Sequence, residues 1–163
     1  FMKESVNVGL KNYDEDNINL SRSYMWYGRV LDANKNYKES IYYLNKAYLI
    51  RKKEFGEKNK LTLITQSLYG QTNLNAGNYN EAEQHLVASY NGLKEISGNE
   101  NEATQKTLAL LIELYKKLNK KEMVNKGELK ISSGASKGLD CLKFFHSLIL
   151  CVKFFLVLFS ERS

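Results

Sequence analysis

Residues 20–56, LSRSYMWYGRVLDANKNYKESIYYLNKAYLIRKKEFG, and residues 62–98, TLITQSLYGQTNLNAGNYNEAEQHLVASYNGLKEISG, are two versions of one pattern. Tyr27-Gly28 recurs 42 residues on as Tyr69-Gly70, and Asn36-Tyr37 as Asn78-Tyr79. At the same offset Glu39 returns as Glu81, Leu44 as Leu86, Tyr48 as Tyr90 and Gly56 as Gly98. Small residues exchange with small ones, Ser40 with Ala82 and Ala47 with Ser89. A fixed period in this range marks an array of stacked supersecondary units.

Each unit reads as two helices. Tyr24, Tyr27 and Leu31 fall at i, i+3 and i+7, one apolar stripe on a helix of roughly 20–34. Gly28 removes a side chain where a partner helix would cross, at about 1 kcal/mol in helix propensity. After the turn Asn34-Lys35-Asn36, a second helix of about 38–54 carries Ile41, Leu44 and Tyr48 on one face. The second unit repeats this over roughly 61–76 and 80–96, with Gly77 at the helix stop and Gly98 closing the unit. A weaker third unit places Leu108, Leu111 and Tyr115 where Tyr24, Tyr27 and Leu31 stood, with Asn119 in the place of Gly77. Its second helix is expected from about 121. At the other end, Glu4-Ser5-Val6 followed by Tyr13 is similar to Glu39-Ser40-Ile41 followed by Tyr48. The chain thus opens inside a second helix, with Phe1 at its start, and a longer parent array is expected.

The composition agrees with helices throughout. The 163 residues contain no proline, where average usage gives roughly eight, which argues against turn-dense β-sandwiches and Pro-rich linkers. All eleven tyrosines lie at or before Tyr115, while both cysteines, Cys141 and Cys151, fall in the last 23 residues. Two compositions therefore join near residues 132–138. The expected layout is a repeat array over 1–132, with a partial repeat over 1–18 and repeats at about 19–60, 61–102 and 103–132. A Gly/Ser linker over 133–138 and an apolar tail over 139–163 follow.

The pattern resembles the tetratricopeptide repeat family. The matching residues are Tyr24, the Tyr27-Gly28 and Tyr69-Gly70 pairs, Tyr37 with Ser40, Tyr79 with Ala82, and Leu44, Leu86, Ala47 and Ser89. The 42-residue period looks like the longer variant seen in kinesin light chains. The resemblance covers roughly residues 2–130 and implies an all-α fold, an α-solenoid of antiparallel helix pairs in a right-handed superhelix. The tail would add a C-terminal hydrophobic helix. It also implies a concave groove lined by the first helix of each pair. On that geometry the groove residues are Arg22, Met25, Arg29 and Asp32 on unit one. On unit two they are Ile64, Ser67, Gln71, Leu74 and Asn75, and on unit three Lys106, Ala109, Glu113, Lys116 and Lys117. Such a face, mixing basic, amide and small apolar groups, suits a protein or peptide segment of acidic character. Chaperone-binding members of the family hold a C-terminal carboxylate with Lys, Asn and Arg on successive first helices. Here Met25, Arg29, Leu68 and Leu110 depart from that set and only Lys106 fits, so the resemblance does not extend to the carboxylate clamp.

No catalytic constellation, cofactor motif or metal-ligand set is legible. Ser133-Gly134-Ala135-Ser136-Lys137-Gly138 has no preceding strand and the wrong spacing for a phosphate loop. Cys141 and His146 fail the arithmetic of a zinc site, and His85 reads as a surface or half-buried side chain. Glu81 with Glu83, and Asp14-Glu15-Asp16, read as solvated faces and caps. The net charge of +6 is mild. Arg51-Lys52-Lys53 and Lys116-Lys117 fall at helix ends, where cations favour the macrodipole, and signals for nucleic-acid binding are missing.

The tail admits three readings. From Cys141 to Phe159 fifteen of nineteen residues are apolar, but Lys143 and Lys153 interrupt; Lys153 near the middle of a spanning helix would cost about 2.5–3.5 kcal/mol. The tail is a membrane anchor over 139–159, a helix capping the open end of the stack, or non-native sequence from a misjoined end. Function at this level is a protein–protein interaction module without catalysis, expected in the cytoplasm with or without anchoring by the tail. The alternatives are a regulatory segment of a larger signalling enzyme or transcription regulator, and a tail-anchored membrane adaptor.

Overall fold

The computed structural model describes residues 2–119. They form six helices: α1 Met2–Asn12, α2 Ile18–Ala33, α3 Tyr37–Phe55, α4 Lys60–Ala76, α5 Tyr79–Ser97 and α6 Glu102–Lys117. Each helix packs on the next, and α4 also touches α2 and α6. The fold is an all-α solenoid. Its first helices α2, α4 and α6 form one row, and α3 and α5 lie beside them. The second helix of the third unit, the linker over 133–138 and the tail over 139–163 lie outside the described residues.

Asparagine starts every first helix. Asn17, Asn59 and Asn101, spaced by the same 42 residues, are the N-caps of α2, α4 and α6. Their side-chain oxygens accept from the backbone N–H of Asn19 at 2.9 Å, Leu61 at 2.8 Å and Ala103 at 3.1 Å. Each bond satisfies one of the donors a helix start leaves open. The turn that follows needs a left-handed residue: Lys35, Gly77 and Asn119, again one period apart, have φ of 61°, 83° and 55°.

The packing of each pair centres on Gly28 and Gly70. A Cβ on Gly28 would stand 2.7 Å from Leu44 Cγ, and one on Gly70 2.8 Å from Leu86 Cγ. The missing side chains let α3 and α5 lie against α2 and α4. Ser40, fully buried, donates from Oγ to the Gly28 carbonyl at 2.7 Å and lies 3.3 Å from Thr72 Oγ1, joining α2, α3 and α4. Leu86, Leu93, Leu111 and Leu114 are fully buried, each contributing about 1.5–3 kcal/mol. In unit one the ring of Tyr43 packs on Tyr24 (5.7 Å between centroids) and edge-on to Tyr27 (4.8 Å). In unit two the same three positions are Gln66, Tyr69 and His85. His85 stands edge-on to Tyr69 at 4.6 Å, with Nδ1 3.4 Å from Gln66 Nε2. Burial holds the half-buried imidazole below its ordinary pKa.

Two sequence expectations need correction. Tyr13 does not repeat the role of Tyr48: α1 ends at Asn12, leaving Tyr13 46% exposed in the following bend, whereas Tyr48 is buried inside α3. Arg51 is not a solvated helix-end cation. It is 6% exposed, because its side chain runs inward from α3 between α2 and α4 while Lys52 and Lys53 turn outward.

Candidate partner-binding groove

On α2 the side opposite Gly28 carries Arg22, Trp26, Arg29 and Ala33. One period on, α4 places Ile64, Leu68, Gln71 and Asn75 there, and α6 places Lys106, Leu110, Glu113 and Lys117. The middle of this face is apolar: Trp26 is 39% exposed, and Leu68 and Leu110 are half-buried. The Arg29 guanidinium lies 4.4 Å from the centre of the Trp26 ring, a cation–π stack that holds the indole in place.

Between α2 and α4 this face deepens into a cavity of about 180 Å³ lined by Arg29, Asp32, Ala33, Leu44, Leu68 and Gln71. At one end of it Asn75 donates from Nδ2 to both carboxylate oxygens of Asp32, at 3.1 Å each. A second, larger depression of about 600 Å³ runs along α5, lined by Asn80, Glu83, Gln84, Val87 and Ala88.

Most of the groove residues expected from the sequence do reach this face or its edge. Arg22, Arg29, Lys106, Glu113 and Lys116 are exposed, and Met25, Asp32 and Gln71 are half-buried. Ser67 and Leu74 do not line the groove. Ser67 is 8% exposed, its Oγ 2.8 Å from Thr107 Oγ1 of α6, and Leu74 is 1% exposed. Both positions point sideways along the row, and α4 has a first helix on either side, so they are enclosed. Met25 and Asp32, at the same positions on α2, border α4 in the same way. Trp26 also lies on this face and was not named from the sequence, and Leu68 and Leu110, named there only as departures from the carboxylate clamp, share its position. Their shared place in the 42-residue period was the available signal.

The charges of the face are unevenly committed. Lys106 pairs with Glu102 at 2.6 Å and Lys117 with Glu113 at 2.9 Å. Arg22, Arg29 and Lys116 enter no ion pair among the described residues. Among those residues no group of three or more His, Cys, Asp or Glu is placed to hold a metal ion. No helix among them is long and apolar enough to cross a membrane, and the membrane reading of 139–159 falls outside them.

None of the curated proteins compared with the chain matches it. Residues 19–95 match a family model described as tetratricopeptide repeat, a span running from α2 through most of α5. Repeats of this family are generally non-catalytic and mediate contacts between proteins. Residues 19–95, with their paired helices packed on Gly28 and Gly70, thus form a segment of tetratricopeptide repeats.

Proposed function

We propose that the chain is a scaffold that captures a segment of a partner polypeptide along α2, α4 and α6. The observation that carries this reading is the recurrence of an apolar residue, Trp26, Leu68 and Leu110, at one position of all three first helices, flanked by Arg22, Arg29 and Lys116, which enter no ion pair among the described residues. An apolar line gives an extended or helical segment area to bury, and Arg22, Arg29 and Lys116 favour acidic residues beside it.

Trp26 is the only tryptophan, so its fluorescence reports on this face alone. Twelve-residue peptides would be selected from a display library on the full chain and their binding followed by Trp26 emission. The expected result is a blue-shifted or quenched emission on binding and weaker binding after Arg29→Glu with Lys106→Glu. Peptides that leave the emission unchanged and ignore the charge reversal overturn the proposal, as does a selection that yields no binding peptide.

A further inference from the structure

Arg51 belongs to α3 but its guanidinium lies between α2 and α4, near their amino-terminal turns. All its hydrogen-bond partners among the described residues are neutral. Nε donates to Ser21 Oγ at 3.3 Å. Nη1 donates to Thr65 Oγ1 at 2.6 Å and lies 3.3 Å from Met25 Sδ and 3.4 Å from the Leu61 carbonyl. It pairs with no carboxylate among the described residues.

An arginine only 6% exposed, with no counter-ion among the described residues, is costly to bury. The surroundings add to the cost: the amino ends of α2 and α4 carry partial positive charge, and Arg22 on the groove face repels it further. Burial and Arg22 together hold the guanidinium below its ordinary pKa. The carboxyl end of α3, only four residues on, offsets part of this. One period later the same position is Leu93, fully buried, so the packing itself does not call for an arginine. Met25, which touches Arg51, is only half-buried and stands one helical turn from Arg22, so the buried charge lies at the edge of the groove.

We infer that Arg51 and Arg22 form a carboxylate-binding site at the α2/α4 junction, which takes an aspartate or glutamate side chain of the segment lying in the groove. This rests on the groove reading above and adds to it one acidic position of the partner, fixed in register at the amino-terminal end of α2 and α4. The planar guanidinium suits two parallel hydrogen bonds to a carboxylate, and Arg22 adds a second charge from the open side.

The test uses the peptides selected on the full chain. Each acidic residue in them is changed to its amide, and binding is measured by Trp26 emission to the unaltered protein, Arg51→Met and Arg22→Gln. Replacing one particular acid should weaken binding to the unaltered protein about tenfold or more. The same replacement should change binding to Arg51→Met less than about twofold, with Arg22→Gln between the two. Circular dichroism establishes that Arg51→Met is folded, and Arg22→Gln, on an exposed residue, decides the matter if it is not. If the amide peptides lose equally with all three proteins, or no acid matters, the carboxylate site is overturned while the groove stands. If no peptide engages Trp26, both are overturned.

Discussion

Gly28 and Leu44 meet so closely that no other residue fits at 28 without moving α3. Leu44 Cγ would lie 2.7 Å and the Leu44 backbone nitrogen 3.3 Å from an added Cβ. A leucine tip can turn away, but the backbone contact cannot. Gly28→Ala gains about 1 kcal/mol of helix propensity and loses about 1–3 kcal/mol to overpacking. We expect a net loss of about 1 kcal/mol, and the same at Gly70→Ala, read from urea unfolding midpoints. A gain in both variants would show that the helices have room to spare.

Lys35 holds a left-handed backbone at φ 61°, where the next repeat has Gly77. That conformation costs a residue with a Cβ about 1–2 kcal/mol, while glycine adds about 0.4–1 kcal/mol of freedom to the unfolded chain. Lys35→Gly should therefore stabilise the protein by about 0.5–1 kcal/mol, and Gly77→Ala should destabilise it. Thermal and urea unfolding of the two variants check both signs.

His85 links stability to pH. Its folded pKa is depressed by burial below the ordinary 6.5, so in acid the unfolded chain takes up the proton first. Stability contributed by the neutral ring is fully present above pH 6.5 and is lost as pH falls from there toward the folded value. Replacing His85 with tyrosine, the residue at the same position in unit one, should flatten the curve between pH 7 and 5.5. Unfolding midpoints at several pH values compare the two, and equal slopes would remove His85 as the cause.

Asp32 and Asn75 tie the first two units together across the groove floor, through two hydrogen bonds of 3.1 Å. Asn75→Asp sets two carboxylates against each other in a half-buried place and should cost about 1 kcal/mol. Adding Asp32→Asn exchanges the partners and should recover most of the loss. Without that recovery the cost arises elsewhere than in the pair.

The helix pattern was legible in the sequence because its decisive residues recur: Tyr27-Gly28 and Tyr69-Gly70 fix the pair packing, and the four helices α2 to α5 begin and end within about two residues of expectation. The caps Asn17, Asn59 and Asn101 were equally periodic but were not read, since an asparagine before a helix carries no apolar stripe. The groove was legible only in part. A period tells which positions are equivalent, not which neighbours enclose them. Ser67 and Leu74 disappear because α4 has a row partner on both sides. Arg51 was misread for a related reason: adjacent basic residues at a helix end look alike until one of them turns inward.

The central place of α4 also sets the order in which the chain can come apart. To open, α4 must part from α2, α3, α5 and α6, whereas α1 rests chiefly on α2. Local opening free energies follow the contacts that must be broken, and arrays of this kind open by neighbouring units. Backbone amides of α1 will exchange with solvent long before those around Thr72 and Asn73, both 1% exposed in the middle of the stack. The segment that forms the floor of the proposed groove is thus also the slowest to breathe, so a partner segment captured as proposed above would meet a surface already set in shape.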